Sequence, residues 1–278
     1  MRITVPQIIK KKKKGEKITM ITSYDAPFSK FVDKSEIDMI LVGDSLGMVV
    51  QGHNNTLSVT LDDIIYHTKI VVRNTTNPLI VADMPFMSYQ LSSEDALRNA
   101  GRIIKETGAQ AIKLEGGFDM LDTIKRITKA SIPVMGHLGL LPQSINKLGG
   151  FKLQGKKSSK AQRMIDAAIA LEEAGVFAIA LEAIPSELAE KITQAISIPT
   201  IGIGTGNKTD GQVLVIYDML GMDSEFNPSF LKKYLNLEEL IVEALKNYKK
   251  DVEESKFPAE EHSYHKTYKK DLNIYSGE

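Results

Sequence analysis

"MILVGDSLG" (residues 39–47) runs four apolar residues straight into Gly-Asp-Ser. A strand covered by helices on both faces carries such an unbroken aliphatic run, because neither face meets water. A half-exposed strand would alternate apolar and polar residues instead. Runs of the same kind recur on both sides: "ITMIT" (18–22), "PLIVAD" (78–83), "AIKLEG" (111–116), "IPVMGHL" (132–138), "FAIALEA" (177–183), "PTIGIG" (199–204) and "QVLVIYD" (212–218). With residues 39–43 they make eight, each of strand length.

The spacers read as helices. "SSEDALRNAGRIIKETGA" (92–109) has Ser92 or Ser93 as cap, one apolar stripe through Ala96, Ile103 and Ile104, and a stop at Gly108. "SSKAQRMIDAAIALEEAGV" (158–176) behaves alike, and "PSELAEKITQAIS" (185–197) carries Leu188, Ile192 and Ile196 at helical spacing. Strands alternating with helices build right-handed crossovers and a parallel sheet. Eight units point to an α/β fold, a single-domain (β/α)8 TIM barrel; an open doubly wound sheet is the competitor, since periodicity does not prove closure. Residues 1–17 read as a helical lead-in, 18–261 as the catalytic barrel and 262–278 as a polar, loosely held tail. "LNLEELIVEALKNYKKDVEES" (235–255) is an amphipathic helix after the last strand. Two connections, 44–76 and 139–159, are long enough to read as functional loops.

The chain has 278 residues, 42% of them hydrophobic, near the roughly 250 typical of one such barrel. Thirty-five basic and 35 acidic residues cancel, so no global field points to nucleic acid or an anionic membrane. Cysteine is absent, which excludes disulfides and thiolate metal sites. No apolar run approaches the ~18 residues that span a bilayer, and a soluble cytoplasmic protein acting on small molecules is expected. The Lys10–Lys14 run reads as the basic end of a short helix that starts near Pro6 and stops at Gly15, rather than as a polyanion signal.

The strands share a way of ending. Asp44 and Asp83 close the second and third, Lys113 and Glu115 sit on the fourth, His137 on the fifth and Glu182 on the sixth. In α/β folds that edge binds ligands. Lys113 and Glu115 are two apart and project to one face, into the barrel. Buried charges there cost several kcal/mol per ion, roughly, unless partnered. The pair alone would also read as a structural bridge; five consecutive strands ending alike argue for function. Asp44, Asp83 and Glu115 together repel, and a bound cation relieves that. Oxygen donors suit a hard ion, Mg2+ first and Mn2+ second, with open coordination positions left for substrate. An α-keto acid fits those positions, its carboxylate held by Lys113 and Ser45. A base must then take the proton from the adjacent carbon; Glu182, in the apolar setting "AIALEAIP", is the candidate. His137 reads as an orienting hydrogen-bond partner of the substrate site, or as a satisfied core histidine. "GIGTGN" (202–207) matches no nucleotide fingerprint; its glycines serve close approach of a cofactor ring or of the chain itself.

Six stretches carry a resemblance: "GDSLGMVVQGH" (43–53), "ADMPFMSY" (82–89), "IKLEGG" (112–117), "GHLGLLPQS" (136–144), "FKLQGK" (151–156) and "IGIGTGNKTDGQVLVIYDMLG" (201–221). In this order they resemble the ketopantoate hydroxymethyltransferase family, over residues 18–262. The resemblance implies a (β/α)8 barrel, Mg2+, 5,10-methylenetetrahydrofolate as one-carbon donor, and a homo-oligomer, commonly a decamer of two pentameric rings. It implies hydroxymethyl transfer to 3-methyl-2-oxobutanoate in pantothenate synthesis. Asp44, Asp83 and Glu115 fall on the family's metal positions; Asp44, Ser45, Asp83 and Lys113 on its keto-acid positions; Glu182 on its proton-accepting position. Leu141 stands where Thr is common, Thr205 where Ala is common, and "NNTLSVT" (54–60) departs from the usual "DSTLPVT". The rival enzyme is a folate-independent, metal-dependent α-keto-acid C–C lyase. A non-catalytic scaffold would have lost the site carboxylates, and all are present.

Overall fold

The structure is a computed structural model that describes residues 2–265. In chain order its elements are α1 (Val5–Lys13), β1 (Ile18–Thr22), α2 (Ala26–Lys34), β2 (Met39–Val42), α3 (Leu46–Val49), α4 (Leu61–Arg73), β3 (Leu79–Asp83), α5 (Ser93–Thr107), β4 (Ala111–Lys113), α6 (Leu121–Thr128), β5 (Val134–Gly139), α7 (Ile145–Leu148), α8 (Ser158–Glu173), β6 (Ala178–Glu182), α9 (Ser186–Ala195), β7 (Thr200–Ile203), β8 (Gly211–Leu214), α10 (Ile216–Met219) and α11 (Leu237–Glu253). The strands pair in parallel, in sequence order, and β8 returns to β1, so the sheet closes into a (β/α)8 barrel.

Each of the eight aliphatic runs overlaps one strand; β5 continues one residue past its run to Gly139, and β8 starts one residue before its run at Gly211. The run 212–218 differs most. Its strand stops at Leu214, because the Ile216 amide donates to the Thr22 hydroxyl at 2.9 Å and leaves the ladder for α10. The connection 44–76 is not structureless. It contains α3 and all of α4, whose start is fixed by Thr60 and Asp63 in a reciprocal capping box. In the connection 139–159, a 3-10 turn at Pro142–Ser144 and α7 leave residues 140–141 and 149–157 irregular. Of the tail, residues 266–278 lie outside the described residues.

Alternation sorts the core into two shells. Ile40, Val42, Ile80, Ala82 and Ile112 face outward and pack against the helices. Met39, Leu41, Leu79, Val81, Ala111, Met135 and Ala180 fill the barrel interior. Continuing the inward parity by two residues puts Asp83, Lys113, His137 and Glu182 in the layers that roof this interior at the carboxyl end. The floor is closed by α1, whose Ile8 is fully buried against the inner shell. Two lysines of the basic run are anchored there. Lys11 pairs with Asp38 at 2.5 Å, and Lys12 pairs with Asp210 at 3.0 Å and donates to the carbonyls of Thr193 and Ile198.

Among the described residues no helix fully covers β8 and β1. A groove of about 650 Å3 opens there, lined by Ile18, Phe28, Phe31, Val213, Leu214 and Met219 among others. Helix α11 buries none of its residues and leaves Leu240, Leu245, Tyr248 and Val252 exposed. Among the described residues no helix is long and apolar enough to cross a membrane.

Candidate active site

The site starts at Gly43. A Cβ there would lie 2.9 Å from Ser45 Oγ and 3.3 Å from Asp83 Oδ2, so the chain leaves β2 pressed against the end of β3. This places the Asp44 amide where it donates to Asp83 Oδ2 at 3.0 Å. The other oxygen, Asp83 Oδ1, accepts from Lys113 Nζ at 2.5 Å; the two residues are direct register partners of β3 and β4. Ser45 Oγ is paired with Tyr24 Oη at 2.8 Å, and Tyr24 is fully buried.

Glu115 lies two residues past Lys113 and enters the same space, beyond the end of β4. Its Oε1 is 3.4 Å from His137 Nδ1, and His137 Nε2 is 3.2 Å from Glu182 Oε2. These are ion contacts without hydrogen-bond geometry: Glu115 Oε1 and both imidazole nitrogens are buried with no hydrogen-bond partner. Asp44, Asp83, Lys113, Glu115 and His137 are all buried. Glu182 is not sealed in apolar surroundings as its sequence setting suggested; its side chain is 22% exposed.

The structure thus brings Asp44, Ser45, Asp83, Lys113, Glu115, His137 and Glu182 to one end of the barrel. Two participants lie inside stretches that carry the resemblance, but the sequence assigns them no role. Gln143, in the 3-10 turn, donates through Nε2 to Asp44 Oδ2 at 2.8 Å and through its amide to Glu115 Oε2 at 3.1 Å. Tyr89 donates to Gln143 Oε1 at 2.7 Å and accepts from the Glu115 amide at 3.2 Å. The pattern that locates strands is silent about a glutamine in a loop. Its place in "GHLGLLPQS" and in a long connection beside a strand end marked the region but not its role. In "GIGTGN", the chain-approach reading fits: a Cβ on Gly206 would sit 2.7 Å from the Ser186 side chain.

The electrostatics follow from the crowding. Burial, then the charges of Asp83 and Glu115, push the Asp44 carboxyl up to about 8. Burial alone would lower the Lys113 ammonium, but Asp83, Glu115 and Asp44 outweigh it and hold it above its ordinary value. Burial likewise opposes charge on His137, yet Glu115 and Glu182 on either side carry it up to about 9. At neutral pH, Asp44 therefore keeps a proton while His137 is an imidazolium.

A hard cation suits this donor set. Three buried carboxylates surround one lysine, and Glu115 has a buried oxygen with nothing bound to it. Among the described residues no three His, Asp or Glu side chains already stand close enough together to hold an ion. Lys113 and Gln143 instead occupy oxygens of Asp83 and Asp44.

Fold and site define a single-barrel enzyme with an acidic, buried mouth at the carboxyl ends of its strands. The model of the family described as ketopantoate hydroxymethyltransferase matches residues 2–260, and the chain belongs to that family. It is 57% identical over 263 residues to the 3-methyl-2-oxobutanoate hydroxymethyltransferase of Syntrophomonas wolfei subsp. wolfei, covering 95% of each chain. It is 54% identical to the enzyme of the same name from Geobacter metallireducens, over 94% of this chain and 98% of that one. Among solved structures it resembles phosphonopyruvate hydrolase in complex with oxalate and Mg2+ (TM-score 0.58, 11% identity, 93% of both chains). It also resembles 2,3-dimethylmalate lyase (TM-score 0.55, 12% identity, 92% of this chain and 99% of that one). At such identities these two likenesses speak to the barrel alone.

Proposed function

We propose that the chain is a 3-methyl-2-oxobutanoate hydroxymethyltransferase, which takes a one-carbon unit from 5,10-methylenetetrahydrofolate and gives 2-dehydropantoate and tetrahydrofolate. The observation that carries this reading is the buried cluster of Asp44, Asp83, Lys113 and Glu115 beside the partly open Glu182, on a chain whose relatives share that named activity.

Asp44, Asp83 and Glu115 would hold Mg2+, which would supply Lewis-acid polarisation of the substrate's keto oxygen. Lys113 offers an ammonium to the substrate carboxylate, and Asp83 fixes that ammonium in place. Ser45, steadied by Tyr24, offers the same carboxylate a hydroxyl. Glu182 removes the proton on C3. His137 holds the Glu182 carboxylate from one side and that of Glu115 from the other, which keeps the base aimed. C3 then forms the new C–C bond to the folate's methylene carbon, both C–N bonds of that carbon break, water supplies the hydroxyl, and the two folate nitrogens take up the C3 proton and one proton of the water.

A homo-oligomer, a decamer by family likeness, completes the reading. The apolar stripe of α11 and the groove over β8 and β1, which no described residue covers, support it, since both are apolar surfaces.

The test is an NMR assay with 3-methyl-2-oxobutanoate and 5,10-methylenetetrahydrofolate, with and without Mg2+. Formation of 2-dehydropantoate that needs both the folate and the ion is expected. Cleavage of keto acids without folate would replace the reading by a C–C lyase.

A further inference from the structure

Gln143 uses every polar atom of its side chain and its amide. Nε2 donates to Asp44 Oδ2 at 2.8 Å and to the Met84 carbonyl at 3.0 Å. Oε1 accepts from the Tyr89 hydroxyl at 2.7 Å, and the backbone amide donates to Glu115 Oε2 at 3.1 Å. The Met84 carbonyl fixes the amide's orientation: flipped, the Gln143 oxygen would face a carbonyl, which only accepts. Tyr89 is in turn held by the Glu115 amide at 3.2 Å. A directed chain therefore runs from the Glu115 amide to Tyr89, to Gln143 and to Asp44. It joins the ends of β2 and β4 through the loops that follow β3 and β5.

We propose that Gln143 is a positioning residue for the cation-binding carboxylates. It fixes Asp44 by its side chain and Glu115 by its backbone, so the order of the loop after β5 and the geometry of the donor set are set together. The inference rests on the metal assignment above. It deepens it by naming what holds two of the three donors before the ion arrives. Groups that hold metal ligands from behind contribute about 10–100-fold to metal affinity. Gln143 is buried, and among the described residues no other side-chain donor bonds to either oxygen of the Asp44 carboxylate.

The experiment is a calorimetric titration of the full chain with magnesium chloride, without substrate, for wild type, Gln143→Ala, Tyr89→Phe and the double variant. Gln143→Ala is expected to weaken binding about 10–100-fold. Tyr89→Phe, which loses one hydroxyl, should weaken it less. The double variant should fall short of the summed losses, because Tyr89 acts largely through Gln143 and touches Glu115 directly only at its backbone. In turnover, Gln143→Ala should need more Mg2+ for half-saturation yet approach the wild-type kcat at saturation. A merely structural role would lower that plateau and leave half-saturation in place. Amide exchange of residues 140–148 should quicken in Gln143→Ala. A folded Gln143→Ala with wild-type affinity, or strictly additive losses, would overturn the proposal. If Gln143→Ala does not fold, unchanged affinity in Tyr89→Phe overturns it. A wild-type chain that binds no divalent ion would overturn the metal assignment as well, which separates the two failures.

Discussion

Replacing Asp44 by Asn tests the electrostatics of the mouth. In the ion-free protein the Asp44 carboxyl titrates near 8, against an ordinary 3.8. Its folded value is raised, so its contribution to stability is complete below pH 4 and is lost as pH rises through 8. Between those limits the folded chain keeps a proton that the unfolded chain has released. Each unit of such a difference is worth about 1.4 kcal/mol. From pH 5 to pH 8 the loss is therefore about 4 kcal/mol at most, and water entering the mouth reduces it. The side-chain amide introduced by Asp44→Asn cannot ionise, and its carbonyl still accepts from Gln143. His137, raised to about 9, loses stability in the same direction from pH 6.5 upward, but it is common to both proteins and cancels in the difference. Urea unfolding in chelator, at one protomer concentration and at pH 5, 6, 7 and 8, should show wild type losing stability relative to Asp44→Asn as pH rises. A wild-type-minus-variant difference that stays level across this range would refute the crowding of Asp44 by Asp83 and Glu115.

Lys113→Met leaves Asp83 buried with its ammonium removed. It should cost about 3–5 kcal/mol in chemical denaturation and abolish keto-acid binding; wild-type stability would mean the pair is not a buried bridge. Leu240→Glu together with Leu245→Glu places charge on the exposed stripe of α11 and should give a smaller assembly in sedimentation velocity. An unchanged sedimentation coefficient would remove α11 from the contact.

The aliphatic runs made the strands legible, because burial on both faces demands them. Inward parity then carried Asp83, Lys113, His137 and Glu182 to one rim without further information. Closure was not legible, since each strand reads the same at an open edge. The end of β8 was misplaced because Ile216 is as apolar as a strand residue, and only the tertiary bond to Thr22 turns the chain aside. Helix α4 was missed inside 44–76 although Ile64, Ile65, Thr68 and Val71 lie on one buried face; the loop before it masked its start. Gln143 and Tyr89 stood in the quoted motifs, but their roles were not legible, because polar residues in loops carry no period. The pattern of α11 is the same whether its apolar face meets its own barrel or another chain, so its exposure came only from the structure.

The account depends on Glu182 standing as the base beside a polarised keto acid. The direct measurement is exchange of the C3 proton of 3-methyl-2-oxobutanoate in deuterated water with Mg2+ and no folate, followed by NMR. Wild type should exchange it, and Glu182→Gln should bind the keto acid with exchange slowed at least about 100-fold. Wild-type exchange in Glu182→Gln would contradict the account.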